Sequence, residues 1–144
     1  MKKILIPIDG RSSPARTRSA VGEAVAIHHR EPVQIHLLSV QPAVSGHVAM
    51  FFGRGELADI HHRVADEELA AAQAQLDAAR VPYVASYIVG RRAETIVQHA
   101  RTIGCDRILM GNEAPATGGS LFGSLAQQIR QLMAGSSDCQ VLGS

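Results

Sequence analysis

The chain has no surplus of charge of either sign, with 14 Lys and Arg against 13 Asp and Glu. A net charge of about +1, with the arginines scattered rather than gathered, gives no general attraction to nucleic acid or anionic lipid. A long apolar run is also lacking at the amino end. There Lys2 and Lys3 lead into residues 4–8, interrupted by Pro7, a stretch too short for a secretion signal or a membrane span. Cysteine is scarce: Cys105 and Cys139 stand far apart and match no metal spacing, so two reduced, buried thiols in a cytoplasmic protein are expected. Only three phenylalanines occur, and two are adjacent, in Met50-Phe51-Phe52. The favoured reading is that they pack down as a local plug, with a contact surface as the alternative.

What is present is a globular composition, 46% hydrophobic and 19% charged, in a chain of single-domain length, 1–144. Residues 4–8 are almost continuously apolar, as in a strand covered on both faces, and Pro7 should lie near that strand's end because it cannot donate to a ladder. Ser12 or Ser13 as N-cap and Pro14 in the first turn open a helix whose apolar side is Ala20, Val21, Ala24, Val25 and Ile27. Pro32 forbids its continuation. Residues 33–40 read as a second buried strand, and 56–80 as a long alanine-rich helix with Leu57, Ile60, Val64, Leu69 and Leu76 as its larger apolar residues. A third strand over 81–89, a helix over 93–102 closed by Gly104, and a fourth strand over 107–110 follow. A helical stripe of Leu125, Ile129, Leu132 and Met133 precedes a short last strand at 139–142. Strands alternating with helical crossovers must run parallel. The predicted fold is therefore an α/β domain, a doubly wound, Rossmann-like, five-stranded parallel sheet with helices on both faces.

In such sheets ligands sit at the carboxyl ends of the strands. Three features converge there: Asp9 after strand one, Val40 at the end of strand two, and the glycine-bearing stretch from Gly111 to Ser124 after strand four. A strand, a glycine loop and a helix start can offer unpaired N–H groups to a phosphate. The stretch has no lysine, so it is not a P-loop, and G-x-G-x-x-G is absent after strand one. A receiver domain would need an acid cluster and an Asp where the chain has only Asp9 and Val89-Gly90. The pairs His28-His29 and His61-His62 are adjacent on helices, about 100° apart, and are read as solvated rather than as metal ligands. Ser12, Ser13, Ser120 and Ser124 have no signalled base beside them and read as caps and turns.

These residues resemble the universal stress protein family over nearly the whole chain. KKILIPIDG is similar to its first strand, HLLSVQP to its second, and GRRAETIVQHARTIGCDRILMGN to its most typical segment. Nucleotide-binding members carry Gly-x2-Gly-x9-Gly-Ser/Thr after strand four. Here Gly111, Gly123 and Ser124 take the outer places, Ala114 and then Pro115 replace the middle, and the span is one residue shorter.

The resemblance implies a small, non-enzymatic stress-response protein, commonly a homodimer paired through its last strand. It implies binding of ATP or AMP, with Mg2+ as a companion ion, and an unknown protein partner. By it, Asp9 and the main chain of Val40 approach adenine, Gly111 and Gly123 admit the phosphates and Ser124 bonds them; Pro7, Met110 and Leu125 complete the set of nucleotide-binding residues. A nucleotide-free dimeric interaction module of the same family is the alternative. A slow ATP hydrolase is disfavoured, since no base beyond Asp9 is evident.

Overall fold

The computed structural model describes residues 1–8, 13–43, 50–111, 125–134 and 139–143. Among them, strands and helices alternate: β1 (Lys2–Ile8), α1 (Pro14–Arg30), β2 (Val33–Gln41), α2 (Arg54–Ala78), β3 (Tyr83–Val89), α3 (Arg92–Ile103), β4 (Arg107–Gly111), α4 (Leu125–Leu132) and β5 (Gln140–Gly143). The sheet order is β3-β2-β1-β4-β5 with every pairing parallel.

Parallel strands need covers on both faces, and the side-chain alternation of the strands supplies two cores. Ile4, Ile6 and Ile8 of β1, Val33, Ile35 and Leu37 of β2, and Leu109 of β4 face α1 and α2. Leu5, Leu38, Val40, Ile108 and Met110 face α3 and α4. Each fully buried Leu or Ile contributes roughly 1.5–3 kcal/mol relative to exposure, so the continuous apolarity of β1 reflects a strand with no solvent side.

The helices begin and end as their local chemistry dictates. Ser13 caps α1, its Oγ accepting the Arg16 N–H at 3.0 Å, with Pro14 in the first turn. Ala20, Val21, Ala24 and Ile27 are the buried side of that helix. Gly104 ends α3 in the left-handed region, φ 68°, where a residue without Cβ is free of strain. Pro7 is the penultimate residue of β1, in register with Leu38.

Some expectations are corrected. Met50 and Phe51 are 81% and 76% exposed and belong to neither core, so they are not a plug. They lie in a turn just before α2, whose first turns run past the core: Ile60 is exposed and Leu57 and Val64 are half-buried, whereas Ala65, Leu69, Ala72 and Leu76 pack inward. A helix of 25 residues is about 37 Å long, and strands of seven to nine residues reach only about 23–31 Å, so one end of α2 must overhang the sheet. In α4 the inward positions are Ala126 and Ile129, followed by Met133, and Leu132 points to solvent. Strand β3 starts at Tyr83 rather than at Val81, although Val81 is buried. Cys139 is half-buried rather than buried.

Candidate functional site at the carboxyl edge of the sheet

The strand order reverses between β1 and β4. The chain moves from β1 to β2 to β3 on one side, then crosses to β4 and β5 on the other. This is the switch point where open α/β sheets leave a crevice. Pro7, half-buried, approaches it at the end of β1, and Gly111 ends β4 beside it. Asp9, Gly123 and Ser124 lie outside the described residues, as do Ala114 and Pro115.

Gly111 has a structural reason to be glycine. Its φ is 75°, and a Cβ there would fall on the Arg16 carbonyl oxygen of α1, with Arg16 Cγ at 3.0 Å and the Ala20 Cβ at 3.2 Å. On its other side the strand pairs with Gly143, whose φ is 103° and whose own added Cβ would meet the Gly111 oxygen at 2.7 Å. Two glycines thus allow α1, β4 and β5 to close on one another. Val40 and Met110 are buried, and Leu125 half-buried, all against the α3–α4 core. Their side chains serve packing, which leaves main chain as what they can present at the edge.

A cavity of about 570 Å³ opens at this same edge, lined by Pro42 and Ala43 after β2, Gly90 after β3, Arg91, Arg92 and Glu94 at the start of α3, and Gln128 of α4. Its volume suits a small-molecule ligand. Two guanidinium groups and the amino end of a 12-residue helix favour an anionic group there. Sequence reasoning missed Arg91, Arg92 and Gln128. The available signal was the pair of arginines after Gly90, in the turn between a strand's carboxyl end and a helix.

The floor of this edge is held by polar pairs that were also not foreseen. Gln41 is buried at the end of β2: its Nε2 donates to the His61 carbonyl at 2.6 Å, and its Oε1 meets His61 Nδ1 at 2.6 Å. One strand turn earlier, buried Ser39 donates to Glu68 Oε2 at 2.7 Å. Both pairs anchor α2 to β2, and they show His61 as a structural partner rather than a solvated histidine. Its neighbour His62 is exposed and lies 3.3 Å from Asp66. Among the described residues no group of three His, Cys, Asp or Glu could hold a metal ion.

The fold is that of several solved universal stress proteins. One in complex with cAMP aligns over 99% of this chain and 96% of its own, with TM-score 0.71 and 18% identity. One from Archaeoglobus fulgidus in complex with dAMP aligns over 99% and 97%, with TM-score 0.65 and 15% identity. A family member from Arabidopsis thaliana with AMP bound aligns over 99% and 90%, with TM-score 0.58 and 12% identity. At these identities the likeness establishes the fold. No curated protein matches the chain in sequence. No helix among the described residues is long and apolar enough to cross a membrane. The family model of the universal stress proteins matches residues 1–142, almost the entire sequence, and the chain therefore belongs to the universal stress protein family.

Proposed function

We propose that this protein binds an adenine nucleotide, ATP or AMP, at the carboxyl edge of its sheet and acts by binding rather than by catalysis. The observation that carries the reading is the cavity of about 570 Å³ at that edge, with Arg91 and Arg92 in its lining, in a fold whose solved relatives were crystallised with cAMP, dAMP and AMP. The lining fits such a ligand: main chain at Pro42 and Ala43 for a flat base, and guanidinium groups and a helix start for a phosphate. Asp9, Gly123 and Ser124 enter on the family motif. Mg2+ would accompany a triphosphate and has no role with AMP.

One observation favours the nucleotide-free alternative. Gly111 is required by its contact with α1 whether or not a phosphate is present, so it does not by itself testify to a ligand. Titration calorimetry with AMP, and with ATP in the presence and absence of Mg2+, separates the readings. Heat of binding is expected for wild type, abolished in Gly123→Val and weakened in Arg91→Ala. No heat at millimolar nucleotide, together with no adenine nucleotide released when the purified protein is denatured, would leave the interaction module as the function. Phosphate release from ATP that is lost in Asp9→Ala would make the protein an enzyme instead.

We also propose that the protein is a cytoplasmic homodimer paired through β5. In support, β5 is an edge strand of the sheet and its residues are half-buried or exposed in the single chain.

A further inference from the structure

At the opposite, amino edge of the sheet the two cysteines come together. Cys105 follows the left-handed Gly104, is buried, and donates its N–H to the Ala100 carbonyl at 2.8 Å. The next residue, Asp106, is fixed on both sides: its carboxylate accepts the Lys3 N–H at 2.8 Å, its N–H donates to the Lys3 carbonyl at 2.9 Å, and its carbonyl accepts the Gln140 N–H at 2.9 Å. The β4–β5 register pairs Arg107 with Gln140; continued one residue back, it sets Cys139, just before β5, beside Asp106, one residue out of step with Cys105, which precedes β4. Strand geometry continued that far, with a spacing of about 4.8 Å and a rise of about 3.3 Å per residue, corresponds to about 6 Å between the two Cα atoms. Disulfides span about 4.4–6.8 Å between Cα atoms.

The side chains converge as well. The Cys105 thiol hydrogen has three acceptors in reach, the Arg107 carbonyl oxygen at 2.8 Å, the Lys3 carbonyl oxygen at 3.7 Å and the Cys139 sulfur. Both cysteines line a cavity of about 380 Å³, together with Arg101, Asp106 and Met133, large enough to admit a small oxidant. Neither cysteine is in a disulfide.

From this geometry we propose that Cys105 and Cys139 are a reversible dithiol site, oxidised by hydrogen peroxide to an intramolecular disulfide across the amino ends of β4 and β5. Cys139, the more accessible sulfur, is the attacking group. Its thiolate forms an S–O bond with one peroxide oxygen as the O–O bond breaks. The departing hydroxide takes up the proton that Cys139 released and leaves as water. Cys105 then attacks the Cys139 sulfenic sulfur: the S–S bond forms, the S–O bond breaks, and the second hydroxide leaves as water with the Cys105 proton. Two thiols are oxidised by two electrons and one peroxide is reduced to two waters.

Hydrogen bonding from Cys105 moves the Cys139 thiol below its ordinary range, against the opposing effects of burial and of the Asp106 carboxylate. The same hydrogen bond, with burial, pushes Cys105 up. That is the division between an attacking and a resolving thiol. The crosslink closes the chain from 105 to 139 and so encloses the glycine-bearing stretch that follows β4. The site stands independently of nucleotide binding.

The test is peroxide treatment of the reduced, full-length protein. The intact mass should fall by two hydrogen atoms, both thiols should become unreactive to an alkylating agent, and a proteolytic map should join the Cys105 and Cys139 peptides. Dithiothreitol should reverse all three. The oxidised protein should melt about 10 °C higher, as closure of a loop of this size predicts. Cys105→Ser should trap dimedone on Cys139, whereas Cys139→Ser should leave Cys105 unmodified. If Cys105→Ser does not fold, the wild-type mass and peptide map decide alone. An intermolecular disulfide with Cys105 still alkylatable, a sulfinic acid on Cys139 with no crosslink, or equally fast oxidation of Cys105 in Cys139→Ser would each overturn the proposal.

Discussion

Arg80 follows the end of α2 with φ 58°, a conformation that costs a residue with a Cβ about 1–2 kcal/mol. Around it the helix closes through Val81 N–H to the Leu76 carbonyl at 3.0 Å and Arg80 N–H to the Asp77 carbonyl at 3.0 Å, a left-handed cap usually given to glycine. Because Arg80 is exposed, Arg80→Gly should remove the strain without losing packing. We expect a gain of about 1 kcal/mol and a rise in Tm of about 3 °C in thermal denaturation, since glycine's own chain entropy offsets part of the relief. Gly111 is the converse. Gly111→Ala places a methyl on the Arg16 carbonyl in a positive-φ position, and should cost about 3 kcal/mol and roughly 10 °C of Tm. This loss should appear in nucleotide-free protein, which distinguishes a packing role from a ligand role.

At the scale of elements, the contact of β2 with α3 should make the protein sensitive to mild acid. His36 of β2 is held below the ordinary histidine value of 6.5 chiefly by burial, then by the nearby His99 of α3 and Lys3 of β1; its Nε2 meets Gln34 Oε1 at 3.0 Å. His99 is lowered by burial, and its Nε2 is buried without a hydrogen-bond partner among the described residues. A histidine whose folded value is depressed binds more protons when unfolded, so its contribution is complete above pH 6.5 and is lost as pH falls through the folded value. Thermal unfolding between pH 7.5 and 5.5 should show a falling Tm, and the double variant His36→Gln, His99→Gln should flatten that slope. An unchanged slope would assign the acid sensitivity to other groups. The same scale explains what the sequence reading misjudged. The larger apolar residues of α2 were readable, but Ala65 and Ala72 carry much of its contact while Leu57 and Ile60 overhang, because the length of the sheet sets how much of a helix can be covered.

For the whole molecule, the two sheet edges differ. β3 exposes Val84 and Val89, and β5 has its Val141 and Gly143 carbonyls already bonded by Arg130 Nη2, at 3.2 and 2.6 Å. Occupied carbonyls blunt an edge against strand addition. A homodimer through β5 therefore has to compete with Arg130. Sedimentation equilibrium should find a dimer, and Arg130→Ala should strengthen it; a monomer in both proteins would remove β5 as the pairing edge.

Local patterning alone determined the order of elements, the parallel sheet and the ends of α1 and α3. Continuous apolar runs, Ser13-Pro14, Pro32 and Gly104 are readable wherever the rest of the chain lies, because their effects act within a few residues. The carboxyl-edge location of a site followed from the same reading, through the ends of β1, β2 and β4. Tertiary structure decided which of these residues meet. Gly111 is glycine because α1 passes over it, Gln41 holds His61 from across a strand–helix contact, and Arg91 and Arg92 share a cavity with Gln128. Cys105 and Cys139 stand far apart in sequence but lie just before adjacent parallel strands, and a parallel pairing brings together the residues that its intervening helix separates in the chain.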